Sequence, residues 1–291
     1  MIPEEIKTAL QNWFLEQGLS EEITHTKSIG GGSINSAIKV STNDGAWFLK
    51  FNFAQAHPQM FESEYHGLKL MAEAQTIRIP QPLNFYEGNH YSCILMEWIE
   101  QGARQLNFWP DFAKQLSQMH QCTEDYFGLE FDNYMGSLPQ KNSKHADFVS
   151  FFIQERLEPQ IKLARDDGYI NEKHIRQSER LYNELPSIFP EEKPSLVHGD
   201  LWSGNFMNDE KGNPVIMDPA VYFGHREVDI AMTTMFGGFS SKFYEQYQNN
   251  YPMETGWESR LDFYKLYPIL IHVNLFGYSY VGSFENIVSR F

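Results

Sequence analysis

The feature that most restricts the fold is a change of hydrophobic period about a third of the way along the chain. Before Ile99 the apolar residues recur mainly at every second position, and after it they recur at helical spacing. Residues 24–29, Ser36–Ser41, Ala46–Phe51, Leu83–Tyr86 and Tyr91–Trp98 read as strands. Asn43-Asp44-Gly45 forms one tight turn between them and Gly88-Asn89 another. A helix over residues 3–18 comes first, marked by Ile6, Leu10, Trp13 and Phe14. Pro58 is expected to open a second helix, whose apolar stripe is Phe61, Tyr65, Leu68 and Met71. After a polar connection at Gly102–Arg104, the spacing predicts helices at about 107–121, 146–166, 171–185, 227–236, 240–248 and 258–283. One stretch, Leu196–Asp218, breaks this pattern. Two short apolar runs there, Ser195–Val197 and Pro214–Met217, flank the turn-rich segment Asn208–Asn213, which signals a hairpin. The expectation is an α+β chain of two lobes. Residues 1–98 form an antiparallel sheet with one long inserted helix, and residues 99–291 form a larger, mostly helical lobe. A chain of 291 residues is long enough for two cores.

Charge and cysteine content exclude several classes. The formal net charge is −15 and the pI is near 5.1, so a polyanion such as nucleic acid is repelled over most of the surface. No run of lysines or arginines makes a local exception. Cys93 and Cys122 are too few for a disulfide framework or a structural zinc site, which points to reduced thiols in the cytoplasm. The acidic start MIPEEIKTALQNW lacks the basic and apolar regions of a signal peptide. No apolar run is long enough to span a bilayer, so no membrane partner is expected.

The chemistry concentrates in His198-Gly199-Asp200-Leu201-Trp202-Ser203-Gly204-Asn205, followed by Asp218-Pro219-Ala220. Transfer of a nucleotide's terminal phosphoryl group needs such a set. One aspartate, Asp200, orients the acceptor hydroxyl or takes its proton; Asn205 and Asp218 hold Mg²⁺ on the phosphates. Magnesium prefers hard oxygen ligands, which the amide and carboxylate supply. His198 is expected to brace the loop, because the chain has no second ligand at the spacing of a metal-dependent hydrolase.

The strand-rich part supplies the other half. Gly30, Gly31, Gly32, Ser33, Ile34 and Asn35 lie between two predicted strands, where bare backbone can approach phosphates. The loop is not a Walker A sequence, and Asn35 stands where a kinase glycine loop has its third glycine. Lys50 ends the third strand, in position to contact the phosphates of ATP, with Glu64 on the next helix as its expected partner and Glu62 the competitor. Met96, Glu97, Trp98 and Ile99 end the fifth strand, where adenine would lie; a plain apolar edge strand reads the same way.

Together these motifs resemble the fructosamine kinase family, the ketosamine or ribulosamine 3-kinases, within the wider clan of aminoglycoside and choline phosphotransferases. Beyond the clan-level His198, Asp200, Asn205 and Asp218, the narrower match is Gly30–Asn35, Leu201–Asn205, Asp218–Ala220 and Gly224–Ala231, and the resemblance runs over essentially the whole chain. It implies a bilobal protein-kinase-like fold, ATP and Mg²⁺ as cofactors, and transfer of phosphate to the 3-hydroxyl of a sugar–amine adduct, free or on a protein lysine. The phosphorylated adduct then falls apart and releases the amine. Asp200 would be the base, Asn205 and Asp218 the metal ligands, and Lys50 with Glu64 the phosphate-positioning pair. Trp202 either packs on the sugar or props the loop. Asp229 is expected to fix the loop, while His225, Arg226 and Glu227 have no assigned role. Two departures stand out. Ser33 replaces the cysteine of many eukaryotic members, so no redox switch is expected in the loop. Pro219-Ala220 follows Asp218 where protein kinases have Phe-Gly, which argues against a mobile in–out switch. The rival readings are a clan kinase for an aminoglycoside, choline, homoserine or sugar, and a nucleotide-binding pseudokinase. Either a monomer or a homodimer fits.

Overall fold

A computed structural model describes residues 2–30 and 34–291. The chain separates into two compact units: Met1–Leu106 with Met207–Asp218, and Asn107–Phe206 with Pro219–Phe291.

The first unit opens with helix α1 (Glu4–Glu16) and continues through β1 (His25–Ile29), β2 (Ser36–Ser41), β3 (Ala46–Phe53), α2 (Met60–Glu73), β4 (Pro82–Glu87) and β5 (Tyr91–Glu97). The five strands form one antiparallel sheet in the order β1-β2-β3-β5-β4. Strand alternation sorts the side chains of β3 onto two faces. Trp47, Leu49 and Phe51 turn to α1, where Ile6, Leu10 and Phe14 are buried against them. Each such apolar side chain removed from water stabilises by roughly 1.5–3 kcal/mol. Lys50 turns to the opposite face, which α2 covers. Helix α2 begins at Met60 rather than at Pro58: Gln59 precedes it in the left-handed region, at φ 60°, so the proline lies outside the helix.

The second unit contains α3 (Phe108–Met119), the small hairpin β6 (Asn133–Met135) and β7 (Leu138–Gln140), and the helices α4 (Phe148–Phe151), α5 (Glu158–Asp166) and α6 (Glu172–Ile188). A π-helical turn, Phe152–Leu157, joins α4 to α5, so the helix expected over 146–166 is one run of changing pitch. Strand β8 (Ser195–Val197) follows. Next along the chain come β9 (Phe206–Asn208) and β10 (Pro214–Ile216), which from Met207 on belong to the first unit, and then, in the second unit, β11 (Tyr222–Gly224), α7 (Glu227–Thr233), α8 (Ser241–Asn250), α9 (Trp257–Tyr264), α10 (Leu266–Phe276) and α11 (Val281–Val288). The single helix expected over 258–283 is therefore broken. Gly277, at φ 79°, ends α10, and a 3₁₀ turn at Gly277–Tyr280 leads into α11.

Strand pairing in the middle of the chain also differs from the expectation. Ser195–Val197 pairs with Tyr222–Gly224, and Pro214–Ile216 pairs with Phe206–Asn208. The turn Asp209–Asn213 closes directly on Phe206–Asn208, the segment next to it in sequence. The hairpin's tip joins the first unit for specific reasons. Gly102 donates its amide to the Asp209 carbonyl at 3.0 Å, Ile216 donates to the Arg78 carbonyl at 3.1 Å, and the Arg78 guanidinium meets Asp209 at 2.9 Å. Arg78 also holds Glu97 at 2.7 Å. A single boundary after residue 98 misses these long-range ties, which bring residues 99–106 and 207–218 into the first unit. Among the described residues, no helix is long and apolar enough to cross a membrane.

Candidate active site

In the first unit, the side chain of Lys50 sits 9% exposed between two carboxylates. Its Nζ donates to Glu64 Oε1 at 2.8 Å and Oε2 at 3.0 Å, and to Asp218 Oδ1 at 3.0 Å. Burial alone would lower the Lys50 pKa, but Asp218 and Glu64 outweigh it and keep the ammonium charged. The partner on α2 is thus Glu64, not Glu62. Asp218 is held at φ 56°, a left-handed backbone that aspartate tolerates better than most residues. Its side chain is 47% exposed, so this carboxylate, unlike Glu64, faces solvent as well as Lys50.

Gly31, Gly32 and Ser33, expected at the phosphates, lie outside the described residues. Of the rest of that loop, Gly30 is exposed, and Asn35 accepts a hydrogen bond from the Asn52 Nδ2 at 2.9 Å. Asn52 also donates to the Ile34 carbonyl at 3.1 Å, so it ties the returning arm of the loop to β3. Sequence reasoning missed Asn52; its place two residues after Lys50, on the same face of the strand, is the signal that was available.

At the end of β5, Met96 and Ile99 are buried. The Glu97 carboxylate is engaged by Arg78, and the Glu97 amide donates to the Gln81 carbonyl at 2.9 Å. Trp98 is fixed from two sides: its Nε1 donates to Glu100 at 2.6 Å, and the Lys39 ammonium stands 4.3 Å from the ring centre. Sequence reading alone leaves Glu100 and Lys39 without a role.

In the second unit, the loop after β8 is held from beneath. Asp229 on α7, completely buried, accepts the His198 amide at 2.7 Å and the Gly199 amide at 2.9 Å. His120, just after α3, reaches the same carboxylate through Nε2 at 3.0 Å, while its Nδ1 meets the Tyr247 hydroxyl at 2.7 Å. A carboxylate only accepts, so Nε2 carries a proton. Burial would raise the Asp229 pKa; the His120 and His198 donors reverse this and hold it below its ordinary value. Gly199 has φ 81°, and a Cβ there would lie 2.1 Å from the Ala220 carbonyl oxygen, so only glycine fits.

This support fixes Asp200. The Asp200 amide donates to His198 Nδ1 at 3.2 Å, and this is how His198 braces the loop. Asn205 donates its Nδ2 to the Asp200 carbonyl at 2.8 Å and to Asp200 Oδ2 at 2.9 Å. Because the amide N–H groups turn to Asp200, the atom of Asn205 suited to a hard cation is its oxygen. The residue types therefore fit Mg²⁺: a neutral amide oxygen at Asn205, just before β9, and a carboxylate at Asp218, shortly after β10. Trp202 lies over its own loop. A Cβ at Gly204 would come within 2.4 Å of the indole, and Phe236 meets the ring edge-on at 5.6 Å. The indole thus packs against the loop that carries Asp200.

The Gly224–Ala231 motif is structural. His225 stacks on Phe148 with ring centres 4.0 Å apart, its Nδ1 bonds the Tyr264 hydroxyl at 2.8 Å, and burial pushes its pKa down to about 3. Arg226 forks onto Glu192 and also donates to the Tyr251 and Pro252 carbonyls. Glu227 is buried against Arg260 at 2.6 Å.

The family model for fructosamine kinases matches residues 6–291. The chain belongs to the fructosamine kinase family. A probable ketoamine kinase of Enterococcus faecium is 41% identical over 270 residues, covering 90% of this chain and 93% of that one. The chloroplastic protein-ribulosamine 3-kinase of Arabidopsis thaliana is 39% identical over 289 residues, with 97% and 87% covered. A crystal structure from Thermobifida fusca, given provisionally as a fructosamine-3-kinase, aligns at a TM-score of 0.88 with 26% identity, covering 97% of this chain and 98% of that one. The fold is kinase-like, and as a member of the fructosamine kinase family the chain is an ATP-dependent phosphotransferase.

Proposed function

We propose that this fructosamine kinase family member transfers the γ-phosphoryl group of ATP to the 3-hydroxyl of a ketosamine, an adduct of a ketose-type sugar with an amine. The observation that carries the reading is the fixed Asp200: its loop rests on Asp229, and Asn205 holds its carboxylate at 2.9 Å. In this reading Asp200 accepts the proton of the acceptor hydroxyl as its oxygen meets the phosphorus. Lys50, kept charged by Glu64 and Asp218, positions the ATP phosphates. Asn205 and Asp218, flanking one hairpin, hold Mg²⁺, which when bound neutralises charge on the phosphates. Gly30–Asn35 covers the phosphates, the backbone of residues 96–99 receives adenine, and Trp202 lies against the sugar. The phosphorylated adduct then decomposes and frees the amine, a repair of glycated amines. The two free thiols, Cys93 and Cys122, support a reducing compartment, the cytoplasm.

The test combines a variant with a substrate panel. Asp200→Ala should lower kcat by about 10²–10⁴-fold while ATP binding stays near that of the unaltered protein. Ketosamines should be phosphorylated in preference to aminoglycosides and choline. Efficient turnover of choline or an aminoglycoside, with none of a ketosamine, would reassign the chain within its clan. Loss of ATP binding with no turnover of any alcohol would leave a fold without this chemistry.

A further inference from the structure

A row of aromatic rings runs from the phosphoryl-transfer loop out into solvent. Trp202 meets Phe236 at 5.6 Å between ring centres, Phe236 meets His272 at 5.0 Å, and His272 meets Phe276 at 5.5 Å and Tyr280 at 4.9 Å. All five residues belong to the second unit. Phe236 and Phe276 are 42% and 55% exposed, two of the few large apolar side chains left in water among the described residues. Phe236 is unusual in a second way. Its φ is +52°, a backbone region that a bulky side chain rarely adopts, and such strain gathers where a side chain must be aimed. Ser203, inside the loop that carries Asp200, donates its hydroxyl to the Phe236 carbonyl at 3.2 Å and pins that segment. His272 donates Nδ1–H to the Pro268 carbonyl at 2.7 Å, and burial lowers its pKa, so its ring is neutral at neutral pH.

We infer that Trp202, Phe236, His272, Phe276 and Tyr280 form a track for the amine-side arm of the ketosamine, with its protonated nitrogen and alkyl chain on the ring faces. The inference rests on the function proposed above and adds the part of the acceptor beyond the sugar. The nitrogen that joins the sugar to a lysine side chain is a secondary amine and carries a positive charge at neutral pH. An alkylammonium is the cation that aromatic faces attract, and a chain of net charge −15 favours it further. The track begins at the transfer loop and reaches the exposed Phe276, so the arm extends away from the sugar toward water. That arrangement suits an adduct on a lysine side chain of a polypeptide.

The experiment compares two acceptors made from one ketose: its adduct with ammonia, and its adduct with the side-chain amine of an N-acetyl-lysine amide. The readout is the ratio of their kcat/KM values. The unaltered protein should favour the lysine adduct. Phe276→Ala and Phe236→Gly, the latter chosen because glycine accepts the left-handed backbone, should each shift the ratio toward the ammonia adduct by about tenfold, the scale of uncovering two methylenes of the alkyl arm that only the lysine adduct has. A fall in either variant supports the track. An unchanged ratio in both, or an unaltered protein that prefers the ammonia adduct, overturns it while leaving the ketosamine kinase reading intact. Turnover of neither adduct removes that reading and the track together.

Discussion

Replacing Lys50 with methionine keeps an unbranched apolar stem, one atom shorter, and removes the charge. Glu64, with a side chain only 10% exposed, is then left as a buried carboxylate without its cation. Removing one partner of such a pair costs roughly 3–5 kcal/mol. Lys50→Met should show a loss of that size in urea unfolding at neutral pH. The loss should shrink near pH 4, because protonation discharges the stranded Glu64. A loss independent of pH would mean that packing, not charge, holds the pair together. The same variant should raise the KM for ATP and lower kcat. Gly204 tests the opposite kind of constraint. Its replacement by alanine places a methyl group 2.4 Å from the indole of Trp202, so the ring must move. Gly204→Ala should shift the tryptophan emission and lower kcat/KM by about tenfold, roughly 1.4 kcal/mol. An unchanged spectrum would show that Trp202 does not rest on the loop.

Helix α7 and the residues just ahead of it carry two stability predictions. Asp229→Ala would leave the His198 and Gly199 amides and His120 without their shared acceptor, in a place water does not reach. A stability loss of about 3 kcal/mol is expected from such orphaned groups, read as a lower denaturant midpoint. Just ahead of α7, His225 titrates in the opposite sense to an ion-paired histidine. Its folded pKa is about 3 and its unfolded value near 6.5, so the unfolded chain binds a proton that the folded one refuses. The stability from its neutral ring is complete above pH 6.5 and is lost as the pH falls toward 3. By pH 5 the loss should be about 2 kcal/mol. A His225→Gln variant should lose one proton's worth of this slope. These elements also show what the sequence could reveal. Lys50, Glu64, Asp200, Asn205 and Asp218 were readable because the chemistry demands particular atoms in order along the chain. Asp229 was readable as a support. The pairing of β8 with β11 was not, since three-residue strands carry too short a pattern to name their partners. His120 was hidden for another reason: its function is a hydrogen bond to Asp229, distant in sequence, and composition carries no trace of it, whereas Asn52 could have been found from its place on the Lys50 face of the strand. The extent of α10 was overestimated because Gly277 sits within an otherwise apolar helical pattern.

For the molecule as a whole, ligand binding and folding are coupled. ATP with Mg²⁺ at a hundredfold its dissociation constant should add about 2.7 kcal/mol to stability. A higher melting temperature by calorimetry would report it, and EDTA should remove both that gain and turnover. The absence of any shift on adding nucleotide and metal together would contradict the assignment of Asn205 and Asp218.

The chain passes between its two compact units three times: after Leu106, after Phe206 and after Asp218. A ribosome therefore delivers the sheet, with Arg78 and Lys50 already in place, well before the acidic turn at Asp209 and the carboxylate of Asp218 that those cations meet. Until residue 218 has emerged, the early segment lacks the Met207–Asp218 hairpin, and Lys50 and Arg78 have only Glu64 and Glu97 as partners. A nascent chain stalled at Leu106 should be cut quickly by protease, and one stalled beyond Asp218 slowly. In the cell, the half that reads as an independent module would be the one that must wait.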